Sequence, residues 1–227
     1  MEIVFEERQS NSPFVESIWR SQSDSAGNFL SLAVSNWMMV VSKIEGQTFI
    51  TVRGPETKAT PLDYQWIGAE WLGIRFKLGT FLPHLPPSKL LDRRDVNLPQ
   101  VTSQSFWLQG SAWELPTFEN ADTFVERLVR GGLLVRDPVV QAVLEGQPQA
   151  LSVRAVQYRF LEATGLTHRT VQQIERARHA LTLLQQGASI ADTVYQAGYF
   201  DQPHLTRALK RFSGQTPAQI ARVSKPE

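Results

Sequence analysis

Residues 201–220 read DQPHLTRALKRFSGQTPAQI, and residues 152–171 read SVRAVQYRFLEATGLTHRTV. The two stretches are one pattern written twice, 49 positions apart. Ser152 pairs with Asp201, Val156 with Leu205, Phe160 with Leu209, Gly165 with Gly214, Thr167 with Thr216 and Val171 with Ile220. Each copy supplies a capping side chain, an apolar stripe at helical spacing, a glycine stop and a second cap. Ahead of the second copy, Ser189 caps a helix bearing Ile190, Val194 and Ala197, which Gly198 ends. Two helices joined by a short turn containing glycine predict a helix-turn-helix, whose second helix enters the major groove of DNA.

The chemistry of the exposed positions fits that reading. In the second copy Gln202, His204, Arg207, Lys210 and Arg211 fall outside the stripe of Leu205, Ala208, Leu209 and Phe212. Arginine pairs with guanine and glutamine with adenine, while lysine and a helix start suit phosphates. In the first copy Val153, Val156 and Phe160 are expected to point inward, and Arg154, Gln157, Tyr158 and Arg159 elsewhere. Thr167 then caps a longer helix carrying Val171, Ile174, Ala177, Leu181 and Leu184, which leads to the second copy. A basic helical face is also what an ordinary solvated bundle shows. Repetition in one register, with matching caps and stops, favours DNA over that reading. The copies differ upstream: moving Ser189–Gly198 back by 49 lands on Val140–Gln149, where Gln147-Pro148-Gln149 replaces the helix end. The first unit is therefore expected to be shortened.

Two further helices precede the repeat. Asn120-Ala-Asp122 opens one with Phe124, Val125, Leu128 and Val129, closed by Gly131-Gly132. Asp137-Pro138 caps the next, with Val139, Val140, Val143 and Leu144, closed by Gly146. Asparagine or aspartate ahead of proline at the first helical position is a start signal.

The front half has a different period. Phe29–Val34, Trp37–Ser42, Thr48–Arg53 (with Phe49, or Val52, against Thr48 and Thr51) and Trp71–Leu78 read as strands, separated by turns at Glu45-Gly46 and 53–56. Such punctuation favours an antiparallel sheet or small barrel. Tryptophans at 37, 66, 71, 107 and 113 concentrate here. They fill a core or line a pocket, with Glu70 and Arg75 as polar groups, so Trp37, Trp66, Glu70, Trp71 and Arg75 are the candidate ligand residues.

Composition narrows the function. At 227 residues with 42% hydrophobic content, the chain has room for one large or two modest folded domains. No stretch has the apolar length of a membrane span, and the N-terminus does not read as a signal peptide. Without cysteine there is no disulfide, thiolate metal site or cysteine nucleophile, which fits a reducing cytoplasm. His84 is the sole histidine before His168, which argues against a histidine-built metal centre in the front half. Residues 1–120 hold 10 basic and 13 acidic side chains, and residues 121–227 hold 13 and 9, an acidic front and a basic back.

Residues 197–220, AGYFDQPHLTRALKRFSGQTPAQI, closely resemble the DNA-binding signature of AraC/XylS-type transcription regulators, and residues 152–165 resemble the first recognition helix of that family. The resemblance covers roughly residues 137–222. It implies two helix-turn-helix units on promoter DNA, with Arg154, Gln157 and Tyr158 reading bases in the first and Gln202, Pro203, His204 and Arg207 in the second. Ser152, Arg159, Lys210 and Thr216 become candidate backbone contacts. Tyr158 stands where the family usually has arginine. By the same analogy the front half is a cupin-like or barrel-like domain that senses a small molecule or dimerises.

The expectation is thus an α+β chain: an antiparallel β-rich domain at 1–119, a connecting helix and linker at 120–136, and an all-α double helix-turn-helix domain at 137–227. Its expected role is cytoplasmic transcription regulation without catalysis, cofactor or metal. The expected partners are double-stranded promoter DNA and a small-molecule effector, with RNA polymerase and a second copy as further candidates and no membrane. The alternatives are a regulator whose front half only dimerises or binds a protein, and an enzyme fused to a DNA-binding module. A repair enzyme of that kind needs a cysteine acceptor, which this chain lacks. A carboxylate-pair hydrolase at Asp92 and Asp95 is more simply a solvated turn.

Overall fold

The computed structural model describes residues 3–92 and 95–223. The first strands are a hairpin, β1 (Ile3–Gln9) and β2 (Val15–Ser23), followed by β3 (Gly27–Ser31), β4 (Met38–Ile44), β5 (Gln47–Arg53), β6 (Thr60–Tyr64) and β7 (Glu70–Phe76). Short strands β8 (Thr80–Phe81), β9 (Val96–Asn97), β10 (Ser105–Leu108) and β11 (Ser111–Glu114) complete the front half. Helix α1 (Ala121–Arg130), strand β12 (Val135–Arg136) and helices α2 (Pro138–Leu144), α3 (Val153–Thr164), α4 (His168–Gln185), α5 (Ile190–Gln196), α6 (Gln202–Phe212) and α7 (Pro217–Val223) follow. The fold is therefore an antiparallel β-rich region followed by a helical one, as the periodicities predict.

The main sheet has the order β1-β2-β7-β4-β5-β9, an open arrangement in which β1 and β9 form the two edges. Its inner face packs Val15, Ile18, Met39, Ile50, Val52, Ile74 and Phe76 against Phe106, Phe124, Val125 and Leu128, so α1 closes one side of the core. In β5 the buried pair is Ile50 and Val52, while Phe49 is exposed; of the two apolar positions expected inward, Val52 is buried and Phe49, on the other face of the strand, is not. The hairpin β1–β2 was not expected. Its exposed faces carry Glu6, Glu7 and Arg20, which mask the alternation. Arg8 ties this edge to the helix: its Nη1 meets Asp122 Oδ2 at 2.7 Å, and Nη2 donates to the Phe118 carbonyl at 2.8 Å.

By contacts the chain forms two compact units. One takes the chain up to Gly27, Asn36–Pro55 and Asp63–Thr167. The other takes Asn28–Ser35, Glu56–Leu62 and the chain from His168 onward. The expected boundary lay at 136/137; the division in the helical region falls at 167/168. The physical reason lies in α2 and α3. Asp137 N donates to the Gly79 carbonyl at 2.8 Å, β12 pairs with β8, and Ser88 Oγ donates to Glu162 of α3 at 3.3 Å. The first helix pair thus belongs to the unit of the large sheet.

The second unit recruits two pieces of the front half. Strands β3 and β6 pair with each other, not with the main sheet, and Val34 bridges Glu56 beside them. This ribbon meets the end of α6: Ala33 N donates to Phe212 O and Ala59 N to Arg211 O, both at 2.8 Å. A helix leaves its last carbonyls without partners, and here main-chain amides of the ribbon supply two of them.

Candidate nucleic-acid interface

Helix α6 starts where the sequence places it. Asp201 accepts from His204 N at 2.7 Å, and Pro203 occupies the first turn. Leu205, Leu209 and Phe212 are buried, the first two in a cluster with Ala180 and Leu184 of α4 and with Ala197, Tyr199 and Ile220. Gln202, Pro203, Arg207 and Lys210 are exposed, and His204 is half-buried with its ring edge-on to Tyr199 at 5.1 Å. No acidic residue lies within Gln202–Phe212. Arg211 also belongs to the ribbon contact, since its Nε donates to the Thr57 carbonyl at 3.3 Å. The ribbon covers the C-terminal end of α6, and the N-terminal end stays open. That is the polarity a recognition helix needs, because its first residues reach base edges.

The turn before α6 is held from the other side. Gly198 takes φ +67°, Tyr199 N donates to Val194 O at 2.9 Å, and the Arg176 guanidinium lies 4.7 Å from the Tyr199 ring centre. Burial pushes the Tyr199 phenol up, against the opposing pull of Arg176. After α6, Thr216 caps α7: its hydroxyl accepts from Gln219 N at 3.3 Å and donates to Gln219 Oε1 at 3.0 Å. The candidate backbone contact at Thr216 is therefore engaged in a capping box.

The first copy shows how uneven the repeat is. Ser152 caps α3 by accepting from Ala155 N at 3.3 Å, and Gly165 ends it at φ +74°, as Gly214 follows α6 at φ +72°. Both L-residue-hostile conformations explain the matched glycines. The expected shortening is not what the structure shows. Helices α2 and α5 each have seven residues. The difference is in the turn, which spans 145–152 in the first unit and 197–201 in the second. Pro148 sits within that longer turn, not at a truncated helix end.

The side chains of α3 also depart from expectation. Val153, expected inward, is 74% exposed: it is the first residue of α3, whose buried residues, Phe160, Ala163 and Thr164, all lie in the second half of the helix. Arg154, Gln157 and Tyr158 are exposed. Arg159 forms a two-pronged pair with Asp137, Nε to Oδ2 at 2.9 Å and Nη2 to Oδ1 at 2.8 Å. Asp137 at the same time caps α2 by accepting from Val139 N at 2.8 Å. Arg159 thus staples the two helices of the first unit instead of presenting a loose cation.

The front-half candidates separate into two groups. Trp37 is core: its ring stacks on Phe76 at 4.0 Å and its indole N–H donates to the Thr80 carbonyl. Arg75 is drawn to Glu7 at 3.3 Å and to Ser17, and Trp66 lies on the surface, where its carbonyl accepts from Ser23. Glu70 and Trp71 do line a cavity, an open groove of about 1060 Å³ between the sheet and the segment 102–119. Its charges are paired: Lys43 with Glu70 at 3.2 Å, Arg20 with Glu6 at 2.6 Å. Asp95 pairs with Arg53 at 3.2 Å and so does not stand as half of a free carboxylate pair. Among the described residues no helix is long and apolar enough to cross a membrane.

The sequence shows one strand of the ribbon, in Phe29–Val34, but neither its partner β6 nor its place against α6, and it does not single out two exposed aromatics, Tyr195 at the end of α5 and Phe200 in the turn before α6. The pairing of that ribbon leaves no local signal, because the helix end it meets lies far along the chain. Phe200 stands in the sequence only as part of the break after Gly198, and Tyr195 as one residue of the helix before it.

Comparison with known proteins agrees with the geometry of the helical region. Residues 149–222 match the family model of a helix-turn-helix domain. The HTH-type transcriptional regulator RipA of Corynebacterium glutamicum is 33% identical over 88 residues, 38% of this chain. That match spans 27% of the curated relative's length. Structures of ToxT from Vibrio cholerae align over 96% of this chain and 98% of theirs at 11% identity and TM-score 0.41. One with an unsaturated fatty acid bound aligns over 94% and 97% at 10% identity and the same score. At that distance no residue is assigned from ToxT.

Proposed function

We propose that this chain, whose residues 149–222 form a helix-turn-helix domain of the AraC type, is a sequence-specific transcription regulator that binds double-stranded promoter DNA in the cytoplasm. The observation that carries this reading is the geometry of α6. Its basic, acid-free exposed face opens at the N-terminal end, and its C-terminal end is anchored by the ribbon. Gln202, Pro203, His204 and Arg207 are the base-reading set, and Lys210 faces the phosphate backbone. In the first unit Arg154, Gln157 and Tyr158 are the exposed set, with Ser152 at the helix start. Having fewer uncommitted cations and a longer turn, that unit plays the lesser part in readout.

The front unit holds the effector in this reading. The groove bordered by Glu70 and Trp71 has the volume of a small-molecule site, and its paired charges offer exchangeable partners to a polar ligand. The chain acts by binding and not by catalysis. The test is a binding titration of the purified chain against duplex and single-stranded DNA over a salt series. Duplex preference with affinity falling steeply as salt rises supports the reading; equal or salt-insensitive binding overturns it.

A further inference from the structure

Tyr195 and Phe200 are the most exposed large apolar side chains among the described residues, at 87% and 91%. A single exposed aromatic is ordinary. These two are five positions apart, Tyr195 in the last turn of α5 and Phe200 in the turn that leads into α6. The backbone beneath them is fixed by the Tyr199 N to Val194 O bond, by Arg176 against Tyr199 and Gly198, and by the Asp201 cap. The aromatic ring between them, Tyr199, is buried and only 6% exposed. A rigid turn therefore holds Phe200 in water one residue before the cap, where it contributes nothing to the core.

We propose that Tyr195 and Phe200 extend the DNA footprint of the second helix-turn-helix, Phe200 packing on a thymine 5-methyl group beside the bases met by α6, and Tyr195 donating its hydroxyl to a backbone phosphate. This rests on the DNA-binding reading of α6. Charge complementarity selects the occupant. The adjoining helix carries Arg207 and Lys210 with no acid, and the one carboxylate on α5, Asp192, is engaged by the Ser189 hydroxyl at 2.6 Å. The thymine methyl is the apolar mark of the major-groove edge and suits a phenyl ring. A phenol suits phosphate oxygen.

The test uses the full chain and a duplex selected by the wild-type protein from a randomised pool. Phe200→Ala is expected to weaken binding to that duplex about tenfold. Replacing its thymines by deoxyuridine weakens the wild type by a similar factor and leaves Phe200→Ala unchanged. Tyr195→Phe weakens binding to every duplex alike, by about threefold to tenfold. Both side chains are exposed, so thermal midpoints stay at the wild-type value. Binding of both variants within about twofold of wild type overturns the proposal. A wild-type chain that enriches no duplex from the pool overturns instead the DNA-binding reading beneath it.

Discussion

The backbone amide of Ala33 donates to the carbonyl of Phe212 at 2.8 Å, so a strand segment from the front of the chain finishes the last turn of the candidate recognition helix. Beside it, Leu30 packs over Gly214, where an added Cβ would lie 2.5 Å from Leu30 Cδ2. The position of α6 is therefore set partly by residues outside the helical region.

Gly214→Ala is expected to lower stability by about 1–2 kcal/mol, from the left-handed backbone at φ +72°. The methyl group of Leu30 can rotate away, so Leu30→Ala in the same chain recovers only the steric part. Urea unfolding of the single and double variants checks this. A stability for Gly214→Ala equal to wild type contradicts it.

Arg159 and Arg207 separate structure from readout. Arg159→Ala leaves Asp137, whose side chain is 11% exposed, without its guanidinium partner. The half-exposed arginine limits the cost to about 1 kcal/mol. Affinity for a selected duplex stays near wild type in that variant, whereas Arg207→Ala keeps its melting temperature and loses affinity. Melting curves and titrations on the same preparations distinguish the two.

Asp122 makes the front unit acid-sensitive. Burial works to raise its carboxyl, but the Ser10 hydroxyl and the Arg8 guanidinium outweigh that and hold it below the usual aspartate range. The folded state thus binds this proton less readily than the unfolded chain. The contribution is full above the unfolded aspartate value, about 3.9, and fades as pH falls through the lower folded value. Asp122→Asn is expected to flatten the stability profile in that acid range and to leave its shape at neutral pH unchanged, as measured by denaturation at a series of pH values.

The second helix-turn-helix was legible because its caps, stripe and stops are local, even though the ribbon that anchors α6 is not. Asp201, the Leu205–Leu209–Phe212 stripe and Gly214 lie within fourteen positions. The first departs from its copy because the offset between the two units is not uniform. The recognition helices start 49 positions apart but the support helices 52, and the extra three residues lie in the turn. In the front half β5 and β7 show alternation and β4 a near-continuous apolar run. The β1–β2 hairpin did not, because charged residues occupy its open face, and the destination of β3 and β6 is set by contacts no short window contains. Among the candidate ligand residues, Glu70 and Trp71 reach a groove, while Trp37 shows that a tryptophan in a strand run is as readily core.

Lys210 offers a test of phosphate contact apart from base reading. Lys210→Ala is expected to weaken binding to all duplexes similarly and to reduce the slope of log affinity against log salt by about 1. An unchanged slope removes Lys210 from the interface.

The central claim is that α6 carries sequence readout and α3 does not match it. The most direct measurement compares Arg207→Ala with Arg154→Ala on one selected duplex and on variants of it changed one base pair at a time. The account predicts a loss of about 1–3 kcal/mol for Arg207→Ala, with relaxed preference at one position, and a smaller loss for Arg154→Ala. A larger loss for Arg154→Ala, or unchanged preference in Arg207→Ala, would contradict it.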